Sequence, residues 1–214
     1  MSMQIVHASE IAAQAWRNRG GLTRELLAWP TAQAWQVRVS LAQVSASGPF
    51  SAYPGVGRYF TVVAGAGVVL EFGDVSLPAR EPESPASITM TSASTPLRFD
   101  GALAPACRLI DGPTLDLNLM WRSGSAEMTA VHESVAWTAT GAVCGFFARV
   151  PGVLHAGTDT LRLSAHALVW QQREIGGGAQ LAEWAFQPDI GVAPGDANIN
   201  APVGWWLGWN EDAS

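Results

Sequence analysis

The chain contains no lysine: all twelve basic residues among its 214 positions are arginine. Schiff-base chemistry, a pyridoxal linkage, a phosphate-loop lysine and a lysine general base are therefore excluded. Arginine is permanently charged and grips carboxylates through two parallel N–H donors, but it is a poor acid or base, so the balance tilts from proton transfer toward binding. Cysteine is nearly absent too. Cys107 and Cys144 lie far apart in apolar runs and read as buried free thiols. The four histidines, His7, His132, His155 and His166, form no HxH, HxxH or HxxxH pair, so no metal ligand and no cofactor is assigned. A Gly-x-Ser-x-Gly elbow is missing, as is the alternating strand–helix pattern it needs, and no catalytic residue is assigned. With a net charge of −6 and no basic stripe, nucleic acid is not an expected partner. No apolar stretch is long enough to span a membrane, and Met1 to Glu10 lacks the pattern of a secretory leader. The expectation is a soluble, cytoplasmic protein without a membrane partner.

What the chain does have is turn chemistry and short apolar runs. With 22 glycines, 13 prolines and abundant Val and Thr, it reads as an all-β chain of short strands, a sandwich or barrel. Strands are expected at Gln4 to Ala8, Thr23 to Trp29, Gln36 to Gln43, Tyr59 to Val63, Gly67 to Phe72, Leu97 to Asp100, Cys107 to Asp111 and Leu115 to Trp121. A second half repeats the rhythm at Met128 to Ser134, Gly145 to Arg149, Ala165 to Gln172 and Leu181 to Gln187. Ser9 reads as a helix cap ahead of a short segment, Glu10 to Ala15, and Leu77 to Pro85 as an exposed loop. Ten tryptophans, three of them at Trp205, Trp206 and Trp209, are expected in the core or between lobes.

The densest cluster of positive charge lies between Trp16 and Arg58, where five arginines accompany one acid, Glu25. In Val37-Arg38-Val39-Ser40-Leu41-Ala42 the alternation places Arg38 and Ser40 on one face, and in the later strand Asp116, Asn118 and Met120 share a face. A fixed cation on an inward face needs an anionic partner. Two readings follow: a pocket for a small carboxylate, or a buried Arg38–Asp116 pair with no ligand.

Three blocks at these residues resemble the HutD family, which also includes the Ves proteins. Trp16-Arg17-Asn18-Arg19-Gly20-Gly21-Leu22-Thr23-Arg24-Glu25-Leu26 is similar to W-K-N-G-G-G-x-T-R-E-[IL]. Arg38-Val39-Ser40-Leu41-Ala42, followed by Gly48-Pro49-Phe50-Ser51-Ala52-Tyr53-Pro54-Gly55-Val56-Gly57-Arg58, is similar to R-[VI]-S-x-A and G-P-F-S-x-[FY]-P-G-x-x-R. Leu109 to Met120 is similar to a block ending D-x-N-[LV]-M. The chain departs from the pattern at Arg17, which replaces a lysine, and at Arg19, which interrupts the glycine run.

The resemblance implies a cupin-like fold with two jelly-roll-type β-barrel lobes in one chain, divided as 1–112 and 113–214 and tightly packed as one unit. It implies a ligand site built from Asn18, Thr23, Arg24, Arg38, Ser40, Arg58, Asp116 and Asn118, with Phe50 and Met120 as apolar walls. The implied ligand is a small carboxylate of the formate or formyl-amino-acid type, and the implied role is regulatory, in bacterial histidine or amino-acid catabolism. A homodimer is compatible with such a chain. Two other functions are compatible with these residues: a metal-independent isomerase or hydrolase of a small organic acid, and an interaction protein using its Trp-rich C-terminus.

Overall fold

Alternation along the chain decides the architecture. In Val37–Val44, Val37, Val39 and Leu41 turn one way, Arg38, Ser40 and Ala42 the other, and all but Arg38 and Gln43 are buried. A strand so buried must be covered on both faces, and it is. The computed structural model describes residues 3–73, 87–173, 183–189 and 200–211. Among them the strands are β1 (Gln4–His7), β2 (Gln14–Ala15), β3 (Gly21–Trp29), β4 (Val37–Val44), β5 (Gly48–Pro49), β6 (Gly57–Ala64), β7 (Val68–Glu71), β8 (Ser87–Met90), β9 (Leu97–Asp100), β10 (Ala106–Leu109) and β11 (Thr114–Trp121). The second half adds β12 (Ser125–Val131), β13 (Trp137–Thr138), β14 (Val143–Ala148), β15 (Gly152–Ala156), β16 (Asp159–Leu163), β17 (Ala167–Gln172), β18 (Glu183–Pro188) and β19 (Gly204–Asn210). No described helix is long and apolar enough to cross a membrane.

Four antiparallel sheets make two lobes. The N-terminal lobe joins a sheet ordered β2-β3-β4-β11-β6-β9 to one ordered β5-β10-β7-β8. The C-terminal lobe joins β1-β17-β14-β19-β12 to β13-β18-β15-β16. The two large sheets pack back to back. Val37, Val39, Leu41, Leu117, Leu119 and Trp121 meet Val143, Phe147, Leu168, Trp205, Leu207 and Trp209 in one apolar core, and Trp29 lies 5.2 Å from Trp209, ring centre to ring centre. Such a core is as continuous as that of one domain.

The chain crosses between lobes at two places the sequence reading set differently. β11 pairs along its whole length with β4 and along most of it with β6, so the N-terminal lobe continues to Trp121 rather than ending at residue 112. β1 pairs with β17 and belongs to the C-terminal lobe. The expected segment Glu10 to Ala15 is not a helix. Ala8–Glu10 is a single 3-10 turn preceded by His7, with no side-chain cap, and Gln14–Ala15 is a short strand against β3. The expected loop Leu77 to Pro85 and the start of Leu181 to Gln187 lie outside the described residues.

The largest strand missed by sequence reading is β19, Gly-Trp-Trp-Leu-Gly-Trp-Asn. It pairs with β12 on one side and β14 on the other. Both its faces are buried, so no polar alternation marks it. Trp205 and Trp209 point into the core between the lobes and Trp206 into the C-terminal lobe. All three are buried: Trp205 is 0%, Trp206 4% and Trp209 1% exposed. Exposed C-terminal tryptophans would have favoured an interaction function, and these three are not exposed.

Candidate functional site

The inner face of the large N-terminal sheet is assembled by cross-strand register. Arg38 of β4 stands opposite Met120 of β11, which stands opposite Arg58 of β6. The next row inward is Glu25, Ser40, Asn118 and Phe60, and the row after it Thr23, Ala42, Asp116 and Val62. Glu25 pairs with Ser40 in the regular register that begins at Gly21, and a β-bulge between Glu25 and Leu27 shifts the pairing only beyond it. Residues from three separate sequence blocks therefore meet as lateral neighbours, because antiparallel strands bring opposed side chains within about 5 Å of each other.

These rows floor a cavity of about 650 Å³, within the range of small-molecule sites. Its floor holds buried Ser40, Arg58, Phe60, Asp116 and Asn118, and exposed Arg17, Asn18, Pro49 and Ser51 form its rim. Of the expected site residues, Asn18, Thr23, Arg38, Ser40, Phe50, Arg58, Asp116, Asn118 and Met120 line it. Arg24 does not, because in β3 it alternates with Thr23 and faces the other way. Trp16, Tyr53 and Phe60 also line the cavity and were not foreseen. Phe60 could have been found from the alternation Arg58-Tyr59-Phe60, which puts it on the arginine's face.

Arg58 is the electrostatic centre. It is 6% exposed, yet its partner is neutral: Nε and Nη2 both donate to Asn118 Oδ1, at 2.9 and 2.6 Å. No carboxylate of a described residue pairs with it within 4.0 Å. Its charge lies against aromatic faces instead, 4.5 Å from the ring centre of Phe50 and 5.3 Å from that of Phe99, an attraction worth about 1–2 kcal/mol in a desolvated setting. Burial lowers its pKa to about 10, so the guanidinium remains charged at neutral pH.

Arg38 behaves differently. Its Nε lies 2.8 Å from Glu25 Oε2, and both side chains are partly exposed. The contact is an ion pair by distance, but its angle leaves the buried Nε–H without a hydrogen bond. The alternative reading of an Arg38–Asp116 pair is corrected: Glu25, which shares the cavity face with Thr23 by alternation along β3, neutralises Arg38.

Asp116 is fully buried. Thr114 Oγ1 donates to its Oδ2 at 3.0 Å, and its Oδ1 has no partner. Burial raises this carboxyl to about 7, against smaller opposing effects of the Thr114 hydroxyl and the Arg58 charge. Burial, and then the nearby Asp116, push the Cys107 thiol up to about 12. Both cysteines are free and buried. Among the described residues no group of three or more His, Cys, Asp or Glu side chains is placed to hold a metal ion.

The rim is set by the Trp16–Gly21 turn. Asn18 Oδ1 accepts from Gly20 N at 3.0 Å, and Trp16 Nε1 donates to Thr23 Oγ1 at 2.7 Å. Arg19, in the run where the resembled pattern has glycine, has φ of 58°. That is the left-handed conformation, open to glycine at no steric cost and to other residues for about 1 kcal/mol or more.

Comparison with known proteins bears on the fold and the family. The chain is 26% identical over 162 residues to Protein Ves of Escherichia fergusonii, covering 74% of this chain and 78% of that one. The structure of HutD from Pseudomonas fluorescens SBW25 superposes with a TM-score of 0.75 at 21% identity, covering 99% of this chain and 100% of the other. An oxalate decarboxylase of Lactobacillus farciminis superposes with a TM-score of 0.60 at 8% identity, covering 100% of this chain and 88% of that one, which extends the likeness to the cupin fold. The family model described as HutD matches residues 8–183, and the chain belongs to the HutD family.

Proposed function

We propose that the N-terminal cavity binds a small carboxylate of the formate or formyl-amino-acid type, and that the protein acts by binding, in a regulatory role in bacterial histidine or amino-acid catabolism. One observation carries this reading: a buried guanidinium faces a cavity of about 650 Å³ while, among the described residues, it is hydrogen-bonded only to a neutral amide. A buried charge without a counter-charge is costly, and a carboxylate entering the cavity offsets that cost through charge-assisted hydrogen bonds. Arg58 Nη1 makes no hydrogen bond to a described residue, so it is available to such a guest. HutD of Pseudomonas fluorescens has a structure in a formate condition and the Lactobacillus farciminis enzyme one as a formate complex, which makes formate the natural first probe. On this reading the working protein is cytoplasmic and free to form a homodimer.

The test is a thermal-shift series with formate, formylglutamate, glutamate, urocanate and histidine, with and without divalent metal. An acid that binds the native state raises the melting temperature by an amount that grows with the logarithm of its concentration over its dissociation constant. Stabilisation by at least one acid without metal is expected, lost in Arg58→Met. An equal shift in folded Arg58→Met would take Arg58 out of the site and the reading with it.

A second reading, a metal-independent enzyme acting on a small organic acid, is favoured by Asp116. A buried carboxyl raised to about 7 beside a cavity has the proton affinity of a general base working near neutral pH. Turnover of whichever acid stabilises the protein, followed by NMR and lost in Asp116→Asn, separates the two.

A further inference from the structure

Besides Arg38 Nε, the cavity lining holds a buried carboxyl oxygen without a hydrogen bond among the described residues. Asp116 lines the cavity, its Oδ2 is held by Thr114, and its buried Oδ1 has no partner. The charged and titratable groups around it are Arg58 of β6, Arg38 of β4 with Glu25 of β3 held against it, Cys107 of β10 and Tyr53 of the loop before β6. Cys107 is a neutral thiol, and both hydrogen bonds of Arg58 go to Asn118 rather than to Asp116. Among the described residues Oδ1 therefore has no partner, and an occupant of the cavity would supply one.

Resting on the anion-site reading, we propose that the ligand is a carboxylic acid with a second oxygen acceptor and no free ammonium group: its carboxylate lies against Arg58, and its second oxygen accepts a hydrogen bond from Asp116 in the neutral acid form. The charge of the lining decides between this and an amino acid. Arg17, Arg38 and Arg58 all line the cavity, against Asp116 in the lining and Glu25 behind Arg38. Positive charge is in excess, so an ammonium group is repelled where a hydroxyl, carbonyl or second carboxylate is not. An ionised Asp116 beside a bound carboxylate would set two negative charges in one desolvated space, and such pairs take up a proton. The cavity is also far larger than a one-carbon acid and leaves room for the second group.

Proton uptake gives the inference its sign. Burial holds the free carboxyl at about 7, so its neutral form predominates below that value and is lost above it. When only the neutral form is competent, apparent affinity falls with its fraction, by about 30-fold between about pH 6 and about pH 8.5.

The experiment is titration calorimetry with glutarate and L-glutamate, which differ only by the ammonium group, at those two pH values. The wild-type chain is expected to bind glutarate at least about tenfold more tightly than glutamate, and about 30-fold more weakly at the higher pH. Asp116→Asn, whose amide N–H donates without titrating, is expected to bind glutarate with one affinity at both. Equal affinity for the two acids, a flat wild-type profile, or a steep profile retained in Asp116→Asn each overturns the proposal. If formate binds while neither longer acid does, the anion site stands and the two-point reading fails. If no carboxylate binds at all, the anion site fails first.

Discussion

In the N-terminal lobe the inward rows of the large sheet carry Arg38, Ser40, Arg58, Asp116 and Asn118 around an open cavity. In the C-terminal lobe the inward rows carry Cys144, Phe146, Ala148, Ala167, Val169 and Trp206, closed over by Trp184 and Phe186 of the smaller sheet. Phe146 lies 4.4 Å from Trp206 and 4.6 Å from Phe186, centre to centre. The same two-sheet architecture thus spends one interior on close packing and the other on polar groups that cannot all be satisfied from within. Apolar filling stabilises; an unfilled polar interior holds a guest. The N-terminal lobe keeps apolar clusters of its own around Val44, Phe60, Val62, Leu70 and Cys107 and around Trp35, Val56 and Met120.

If that division is correct, damage to the two interiors has different signatures. The largest effect is expected from Phe146→Ala, which removes a fully buried ring from the C-terminal lobe and costs about 3–5 kcal/mol. Chemical denaturation measures it, and carboxylate affinity of the folded fraction stays unchanged; a lost ligand response would join the two interiors functionally.

Asp116→Asn is expected to do the opposite. The carboxyl moves from 3.8 to about 7 on folding, so the fold holds its proton more tightly than the unfolded chain does. The stability this gives is complete below about pH 4 and is lost as pH rises through about 7, by up to roughly 4 kcal/mol at about 1.4 kcal/mol per pH unit. Without ligand, the asparagine variant gains on the wild type with increasing pH, by an amount of this order. Parallel stability curves from about pH 5 to about pH 9 would show that Asp116 does not titrate in this range.

Asn118→Ala strips Arg58 of its described hydrogen-bond partner. A loss of about 2 kcal/mol is expected, as for other hydrogen bonds to charged groups, and a bound carboxylate should recover part of it in a thermal-shift assay. Arg38→Ala should weaken carboxylate binding by about tenfold, less than Arg58→Met does, because Glu25 already neutralises Arg38. Smallest of all, Arg19→Gly should add about 0.5–1 kcal/mol by relieving a left-handed φ of 58°. A loss of stability there would mean that the arginine makes a compensating contact.

How legible all this was from the chain varies by element. β4 and β11 show their faces because each has one polar and one apolar side. β19 does not, because a strand buried on both sides carries no alternation. The set of cavity residues was readable because Arg38, Ser40, Asp116 and Asn118 recur at every second position and sit in blocks that resemble a family pattern. The partner of each was not. Glu25 was visible as the lone acid among five arginines and, two residues from Thr23, shares its face, but which arginine it meets depends on the pairing of β3 with β4. Arg58 and Arg38 look alike in sequence, and only burial makes one of them the deeper charge.

By itself the sequence determined that this would be an all-β chain, that its chemistry would rest on arginine rather than lysine, and which residues would share a strand face. Those are local properties, set by side-chain alternation and by the ionisation of single groups. Only the tertiary structure decided that the N-terminal interior stays open while the C-terminal one is filled, that Asn118 rather than Asp116 holds Arg58, and that Asp116 is left with a free oxygen. Burial and register do not reside in any one segment. They arise where strands distant in sequence lie side by side, and that is where a buried carboxyl and a buried guanidinium acquire their altered affinities for protons.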